Sequence, residues 1–545
     1  MRTWAKAPTD GGATAGGTPA LQPAPSQSGV SSPCPICGEE RRAYLFVVHG
    51  LQICRCPGCG LVTLHAQPAA ANAADASAAA PANAGPAMVC ADSGTELEAA
   101  QRYVRSLKLR GLERGRLLLV AAPGHPVAAE AKSSGYDVAL HISIAELEGD
   151  TDLKGPYDGV VVCHQLEKAT DAAAAARRLQ NALRPGGVLL LTAPSIESWP
   201  RSFFGQQWTE WRPENRYYFG PATAQSLLLK HGFEHIWVTP DRRRYTLRHV
   251  YRRAVTFPRT TLTRLIRLLF HITPPPFRDM SLRFACSGMI VTATRATLRE
   301  RPLCSIVVPA YNEHATFPAL MKGLLAKEIP GADKEIIIVE SNSTDGTRDL
   351  VTACGQHPGV TVVLQDRPRG KGNAVRAGLQ QARGDIVLIQ DADLEYDLND
   401  YDALVEPLLK YRAAFVLGSR HGGNWKMRQF TDSAGLAAYL NVGHIFFTFL
   451  VNTLYRQRMK DPFTMYKVFR RDCLYGLEFE CNRFDFDFEL VIKLVRKGYT
   501  PLELPVNYRS RSFKEGKKVR MVRDPLTWIR AAIKYRFVRI SRLPR

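Results

Sequence analysis

Short apolar runs alternate with segments of helical spacing along most of this chain. Apolar runs bounded by turn residues read as buried strands, whereas apolar positions three and four apart read as one face of a helix. Between about 96 and 299 the pattern predicts a strand at 116–121 followed by the Pro123-Gly124 turn, then a strand at 159–163. A helix at 171–183, a turn at Arg184-Pro185-Gly186-Gly187 and a strand at 188–192 complete that series. After Arg301-Pro302 the pattern restarts, with strands at 305–308, 335–339, 360–364 and 386–389 and polar loops or helices between them. Strand and helix in repetition predict a doubly wound parallel sheet, an α/β fold, in each series. Such sheets bind ligands at the carboxyl ends of their strands, so the polar loops of the second series should share one crevice.

The run at 386–389 leads straight into Asp391, Asp393 and Glu395. Three carboxylates at alternate positions repel one another, and a divalent cation at the strand's end is the commonest reason to tolerate them. A second metal signal lies near the start. CPICG at 34–38 and CPGCG at 56–60 give the spacing C-x2-C-x18-C-x2-C, with strand-like runs at 43–48 and 51–54 between them. A hairpin that folds the two pairs together makes a tetrahedral thiolate set, so Cys34, Cys37, Cys56 and Cys59 are expected to hold structural zinc. Cys54 is near enough to compete, and a redox Cys-x-x-Cys is the minor reading.

Composition divides the rest. Residues 1–32 hold few large apolar side chains, too few to offset the entropy of ordering, and are expected to be disordered. The expected order is then a zinc ribbon at 33–65, an Ala/Pro/Asn-rich linker at 66–95, one α/β domain at 96–299 and another at 300–523. A basic amphipathic tail at 524–545 ends it.

With 45% hydrophobic and 23% charged residues the chain is globular in composition, but its formal net charge of +21 is high. Two stretches carry the excess: 241–301 has 14 arginines against 3 acidic residues, and 505–545 has 13 lysines and arginines against 2. Basic segments interleaved with apolar residues suit an anionic membrane surface or phosphorylated ligands; solvated faces are the plain alternative. Nucleic acid is not an expected partner, because the zinc-ribbon hairpin has few basic residues. VTFPRTTLTRLIRLLFHI at 255–272 places apolar residues at helical spacing among arginines, which fits either an interfacial membrane helix or packing on its own domain. AYLNVGHIFFTFLVNTLY at 438–455 is marginal for a span and holds Asn441, His444 and Asn452, so it is expected to lie in the interface. No secretory signal is evident, and the expected location is cytoplasmic, peripheral on the membrane's cytoplasmic face.

YDGVVVCHQLEKATDAAAAARRLQNALRPGGVLLLTAPS, with WTEWRPENRYYFGPATAQSLLLKHGF after it, resembles the second half of a class I S-adenosylmethionine-dependent methyltransferase preceded by a zinc ribbon. The cofactor-holding parts depart from that family. Its glycine-rich loop reads AAPGHP here, with only Gly124 left, and its acidic ribose-binding position falls at about His141. Histidine cannot replace a carboxylate as acceptor for two hydroxyls. The expectation is a scaffold or acceptor-docking domain with S-adenosylmethionine binding impaired; an active methyltransferase is the alternative.

VVPAYNE, VESNSTDGT, GKGNAVRAGL and DADLEYD together resemble the family 2 glycosyltransferases of the GT-A fold, close to the dolichyl- or polyprenyl-phosphate sugar synthases, from about Leu303 to Lys518. The resemblance implies an enzyme that moves a hexose from a UDP- or GDP-sugar to a polyprenyl phosphate. A hydroxyl on a glycan, protein or small molecule is the alternative acceptor. It also implies that Asp391 and Asp393 face Mg2+ or Mn2+ and that Glu395 is a further ligand, with a helix N-cap the other reading of Asp393 or Glu395. Pro309, Tyr311, Glu313 and Glu340 should line the nucleoside pocket, and Lys371 should reach the diphosphate. Where V-D-D-G-S-T-D-G-T is usual this chain has VESNSTDGT, so Ser341 takes the second acidic position. Arg420 and Arg428 in GSRHGGNWKMRQF, with Arg511 and Lys517 in YRSRSFKEGKK, should hold phosphate. Asp461 should lie near the sugar or shape a turn, and Glu489 is a weaker candidate. A phosphate monoester is already anionic, so no general base is needed, and single displacement with inversion is expected.

Overall fold

The computed structural model describes residues 33–48, 50–66, 93–149, 151–255, 261–296, 299–420, 434–509 and 523–538. The segment expected to be disordered, at 1–32, and most of the expected linker lie outside the described residues, as do Arg428, Arg511 and Lys517.

The cysteine-bearing segment supplies β1 (Ala43–Val48), β2 (Leu51–Arg55) and β3 (Val62–Ala66), and the following segment supplies β4 (Arg116–Val120), β5 (Asp137–Ile142), β6 (Tyr157–Cys163) and β7 (Leu183–Pro194). Next come the two-residue β8 (Tyr217–Tyr218), β9 (Phe233–Thr246) and β10 (Ser281–Arg295). β8 adds to the antiparallel ribbon sheet in the order β1-β2-β3-β8. Phe46, Val48, Ile53 and Val62 pack there with Trp208, Trp211 and Tyr218. The ribbon has too little surface for a core of its own and borrows aromatic residues from the next segment.

The second sheet runs β5-β4-β6-β7-β10-β9. Its first four strands are parallel, as expected, but β10 pairs antiparallel with β7 and with β9. The reversal has a physical cause: β9 and β10 follow one another without a crossover back over the sheet, and such neighbours pair antiparallel. Pro240 is tolerated because β9 is the edge strand.

The third sheet holds β11 (Leu303–Ala310), β12 (Asp333–Glu340), β13 (Val360–Leu364), β14 (Ile386–Ile389), β15 (Phe415–Ser419), β16 (Lys467–Arg470) and β17 (Leu502–Pro505). Its order is β13-β12-β11-β14-β16-β15-β17. β11, β12, β13 and β14 are parallel, and β16 runs antiparallel to β14 and β15. Ile386, Val387, Leu388 and Ile389 are all buried, because apolar layers cover both faces of the sheet. The second and third sheets meet through side chains: Asp472 accepts from the His235 and Ile236 amides, and Arg110 Nη1 lies 2.5 Å from the Tyr475 hydroxyl.

Candidate active site

β14 ends against the crevice side of the sheet, and the chain turns there through Asp391, Ala392 and Asp393. These residues line a cavity of about 940 Å3 with Pro309, Tyr311 and Glu313 from the end of β11, Ser341 after β12, and Lys371. Lys371 opens the helix Lys371–Gln381, which begins beside the segment 481–486 because Gly372 has no side chain. A Cβ on Gly372 would come within 2.5 Å of the Phe486 Cβ. That close approach sets Lys371 Nζ 2.5 Å from Asp391 Oδ1. Burial alone would lower the lysine's pKa, but Asp391, Asp487 and Asp393 together hold it raised. Asp487 also lines the cavity and pairs at 3.0 Å with Lys467, a fully buried lysine whose pKa burial pushes down.

Glu395 lines the same cavity and accepts from the Tyr508 hydroxyl at 3.0 Å. The N-cap role falls to Asp397, whose side chain accepts from the Asn399 amide at the start of the turn Leu398–Asp400. Glu340 is placed differently from the expectation. It is fully buried off the cavity wall, and its oxygens accept from the Asn342 and Ser343 amides and from Arg348. The neighbouring Ser341 faces the cavity instead.

Arg420 also lines the cavity. Its Nε and Nη2 make a two-point pair with Asp461, at 2.7 and 2.8 Å, and its guanidinium lies 5.2 Å from the Tyr508 ring centre. Asp461 is fully buried and off the cavity wall. Burial opposes its charge, yet Arg420 and then His444 hold its carboxyl well below the usual range. Asp461 thus holds Arg420 from behind the wall, and its carbonyl also accepts from the Thr464 amide across a turn, as the turn reading expected. Glu489 is also buried, holding the Glu480 and Cys481 amides and Lys493.

Past Arg420 the cavity becomes apolar. Val442, Phe446, Phe447, Phe463, Phe488, Trp528 and Ile529 line it, drawn from the helix Ala434–Tyr455, the helix Asp485–Arg496, the helix Arg523–Phe537 and, for Phe463, the turn that precedes β16. His444 sits near the junction, its Nε2 3.8 Å from Asp461 Oδ1. Asp487, Lys467, Tyr508 and this aromatic wall were not singled out from the sequence, and His444 was named only as a polar residue of its apolar stretch. The alternation FDFDF was the one signal for Asp487; the others meet only through tertiary contacts.

Two further clusters lie elsewhere. The four sulfurs of Cys34, Cys37, Cys56 and Cys59 lie within 4.8 Å of one another, the only such cluster of metal-ligating side chains among the described residues. Cys34 and Cys59 are 3.5 Å apart, too far for a disulfide, and the cluster fits a zinc ribbon. Cys54 lies outside it. In the second segment Arg243 bonds to Asp241, and its Nη2 lies 3.3 Å from both the Tyr103 hydroxyl and His164 Nε2. Burial, followed by His164, Arg243 and His141, pushes the neighbouring His125 down to about 4.

An acidic, lysine-bearing crevice at the carboxyl ends of a doubly wound sheet, opening on one side to an arginine, defines a transferase of the GT-A class. Comparison with known proteins agrees. The model of Glycosyl transferase family 2 matches residues 305–476, and the Methyltransferase domain model matches residues 74–237. An uncharacterized glycosyltransferase of Mycobacterium bovis is 31% identical over 211 residues, covering 38% of this chain and 86% of that protein. A dolichyl-phosphate beta-glucosyltransferase of Trichomonas vaginalis is 26% identical over 245 residues, covering 43% of this chain and 71% of that protein. An undecaprenyl-phosphate 4-deoxy-4-formamido-L-arabinose transferase of Serratia proteamaculans is 38% identical over 106 residues, 19% of this chain and 32% of that protein. Among solved structures, glucosyl-3-phosphoglycerate synthase from Mycobacterium tuberculosis in complex with Mn2+, UDP and glucosyl-3-phosphoglycerate is 22% identical. It covers 43% of this chain and 80% of that one, with a TM-score of 0.30. The chain belongs to glycosyltransferase family 2, and carries a methyltransferase-like segment ahead of its transferase segment.

Proposed function

We propose that this chain transfers a hexose from a nucleotide sugar to a polyprenyl phosphate at a membrane surface, with inversion at the anomeric carbon. One observation carries the reading: a single cavity joins the acidic, lysine-bearing crevice to an aromatic arm, with Arg420 on its wall between chemistries of opposite kind. An isoprenoid chain fits an apolar arm, and its phosphate fits a guanidinium already oriented by a two-point carboxylate pair. Relatives that act on dolichyl and undecaprenyl phosphates support the same acceptor.

In this reading Pro309, Tyr311, Glu313 and Ser341 hold the nucleoside, and Glu340 shapes the loop beneath it. Lys371 lies where it can meet the departing diphosphate. Arg420 orients the acceptor phosphate, aided by Arg428 and Arg511. That phosphate attacks without a general base because it is already ionised, and the aromatic wall keeps water from competing. The donor set suits a hard divalent cation. Asp391, Asp393 and Glu395 are oxygen donors on one wall, and the Lys371 ammonium already places positive charge beside Asp391. Mg2+ or Mn2+ held there would offset charge building on the nucleoside diphosphate.

No helix among the described residues is long and apolar enough to cross a membrane. The helix Ala434–Tyr455 instead exposes Val442, Ile445, Phe446 and Phe449, a stripe at helical spacing suited to lying in the interface, and Val442 and Phe446 also line the cavity. The expected result with UDP- and GDP-hexoses, Mn2+ or Mg2+ and membrane lipid extract is label that enters organic solvent and is released by mild acid. Label confined to a glycan, peptide or small-molecule hydroxyl would contradict the acceptor.

The four-cysteine cluster is read as a structural zinc site. The methyltransferase-like segment is read as having lost its cofactor: S-adenosylmethionine is a sulfonium cation with a ribose to anchor, and here Arg243 lies by His125 and His164 while His141 replaces the acid. Purified chain is expected to contain one zinc ion and to give no heat on titration with S-adenosylmethionine. Zinc-free chain, or saturable binding, would count against these assignments.

A further inference from the structure

A second exposed stripe lies in the methyltransferase-like segment, far along the chain from the active site. β10 pairs with β7 only through Gly288–Thr294, yet β9 and β10 continue pairing beyond that, from Arg242 opposite Ala285 to Thr246 opposite Ser281. This two-stranded ribbon carries the helices Leu247–Val255, Thr261–Ile272 and Pro275–Arg278. One face of the middle helix is pinned down: Phe270 is buried and stacks on Tyr251 at 4.0 Å, with Arg278 over its ring at 4.7 Å. The other face is not. Leu265, Leu268, Leu269 and Ile272 fall at i, i+3, i+4 and i+7 and are 49, 57, 42 and 64% exposed. Phe277 and Met280, just beyond, are 58 and 54% exposed.

Such a stripe normally faces a core, and exposed apolar patches of this kind mark an interaction surface. The charge around it selects the occupant. Residues 247–283 contain eight arginines and one acidic residue, Asp279, which is already paired with Arg248. Arginine heads can reach outward from an apolar face to lipid phosphates while their stems stay among the acyl chains. An apolar protein groove would explain the leucines but not this excess of cations.

We infer that the ribbon-borne helices form a second membrane foot, which docks on an anionic bilayer and holds the methyltransferase-like segment to the surface from which the transferase draws its lipid acceptor. The inference deepens the membrane reading above and rests on it, but its test is independent of catalysis. The full chain is sedimented with vesicles of phosphatidylcholine alone and of phosphatidylcholine mixed with phosphatidylglycerol. Binding is expected to need the anionic lipid and to weaken with salt. Leu268→Glu with Ile272→Glu is expected to weaken it about tenfold or more with an unchanged unfolding midpoint, since both side chains are exposed. Arg252→Gln with Arg264→Gln should weaken binding to the anionic vesicles about tenfold and leave the neutral baseline unchanged. Wild-type chain that ignores anionic vesicles, variants that bind as wild type, or a lipid-free dimer that the Glu variant dissolves would each overturn the foot. Failure of polyprenyl phosphate to accept sugar would instead overturn only the acceptor.

Discussion

Asp391→Asn and Asp393→Asn are each expected to lose about a hundredfold or more of transfer activity while unfolding at the wild-type midpoint. The chemistry separates a sugar from a diphosphate, so negative charge grows on the leaving group as the bond breaks. Groups that place a cation against that charge act mainly in the transition state, and their loss falls on kcat rather than on KM. Asparagine keeps the size and one acceptor oxygen of each side chain. In Asp391→Asn the partly buried Lys371 loses its closest partner but still has Asp487 and Asp393 acting on it, which limits the cost to folding. Rates are measured at saturating donor with Mn2+ or Mg2+, and stability by thermal unfolding. Full activity in either variant would remove the metal-side assignment.

Asp461→Ala is expected to cost about 3–5 kcal/mol of stability, the penalty for leaving a buried charge unpaired. Arg420 makes its two-point pair with a fully buried Asp461, and its own side chain is only 6% exposed, so truncation strands the guanidinium. The pH dependence has a definite sign. Native Asp461 is held below the ordinary carboxylate range, so its contribution is full above the unfolded value of about 3.9 and is lost as pH falls through the lower folded value. The gap between wild type and variant, read by urea unfolding, should therefore be widest near neutral pH and narrow in acid. Transfer activity should fall as well, because Arg420 loses its orientation. A variant within about 1 kcal/mol of wild type at neutral pH would show that the pair is not holding the wall.

Elements defined by local pattern were legible in the sequence. The strands at 360–364 and 386–389 match their apolar runs residue for residue, and the Cys-x-x-Cys pairs do converge on one point. What was hidden depends on contacts between distant segments. β3 gave no separate signal, and β8 is two residues recruited to the ribbon sheet. The antiparallel direction of β10 follows from its partner strands rather than from its own composition. At the site, Asp391, Asp393, Glu395, Lys371 and Arg420 all reach one cavity. Glu340 does not, because a carboxylate followed by a tight polar loop can turn back onto that loop's own amides, and sequence alone does not tell which way it turns. The aromatic arm draws on helices separated by tens of residues, so no motif marks it.

The decisive measurement is transfer to purified polyprenyl phosphate beside the matching unphosphorylated polyprenol, with the same nucleotide sugar and cation. A lipid-linked, mild-acid-labile product is expected from the phosphate and essentially none from the alcohol. Equal transfer to both, or product from neither while a water-soluble hydroxyl acceptor is glycosylated, would contradict it.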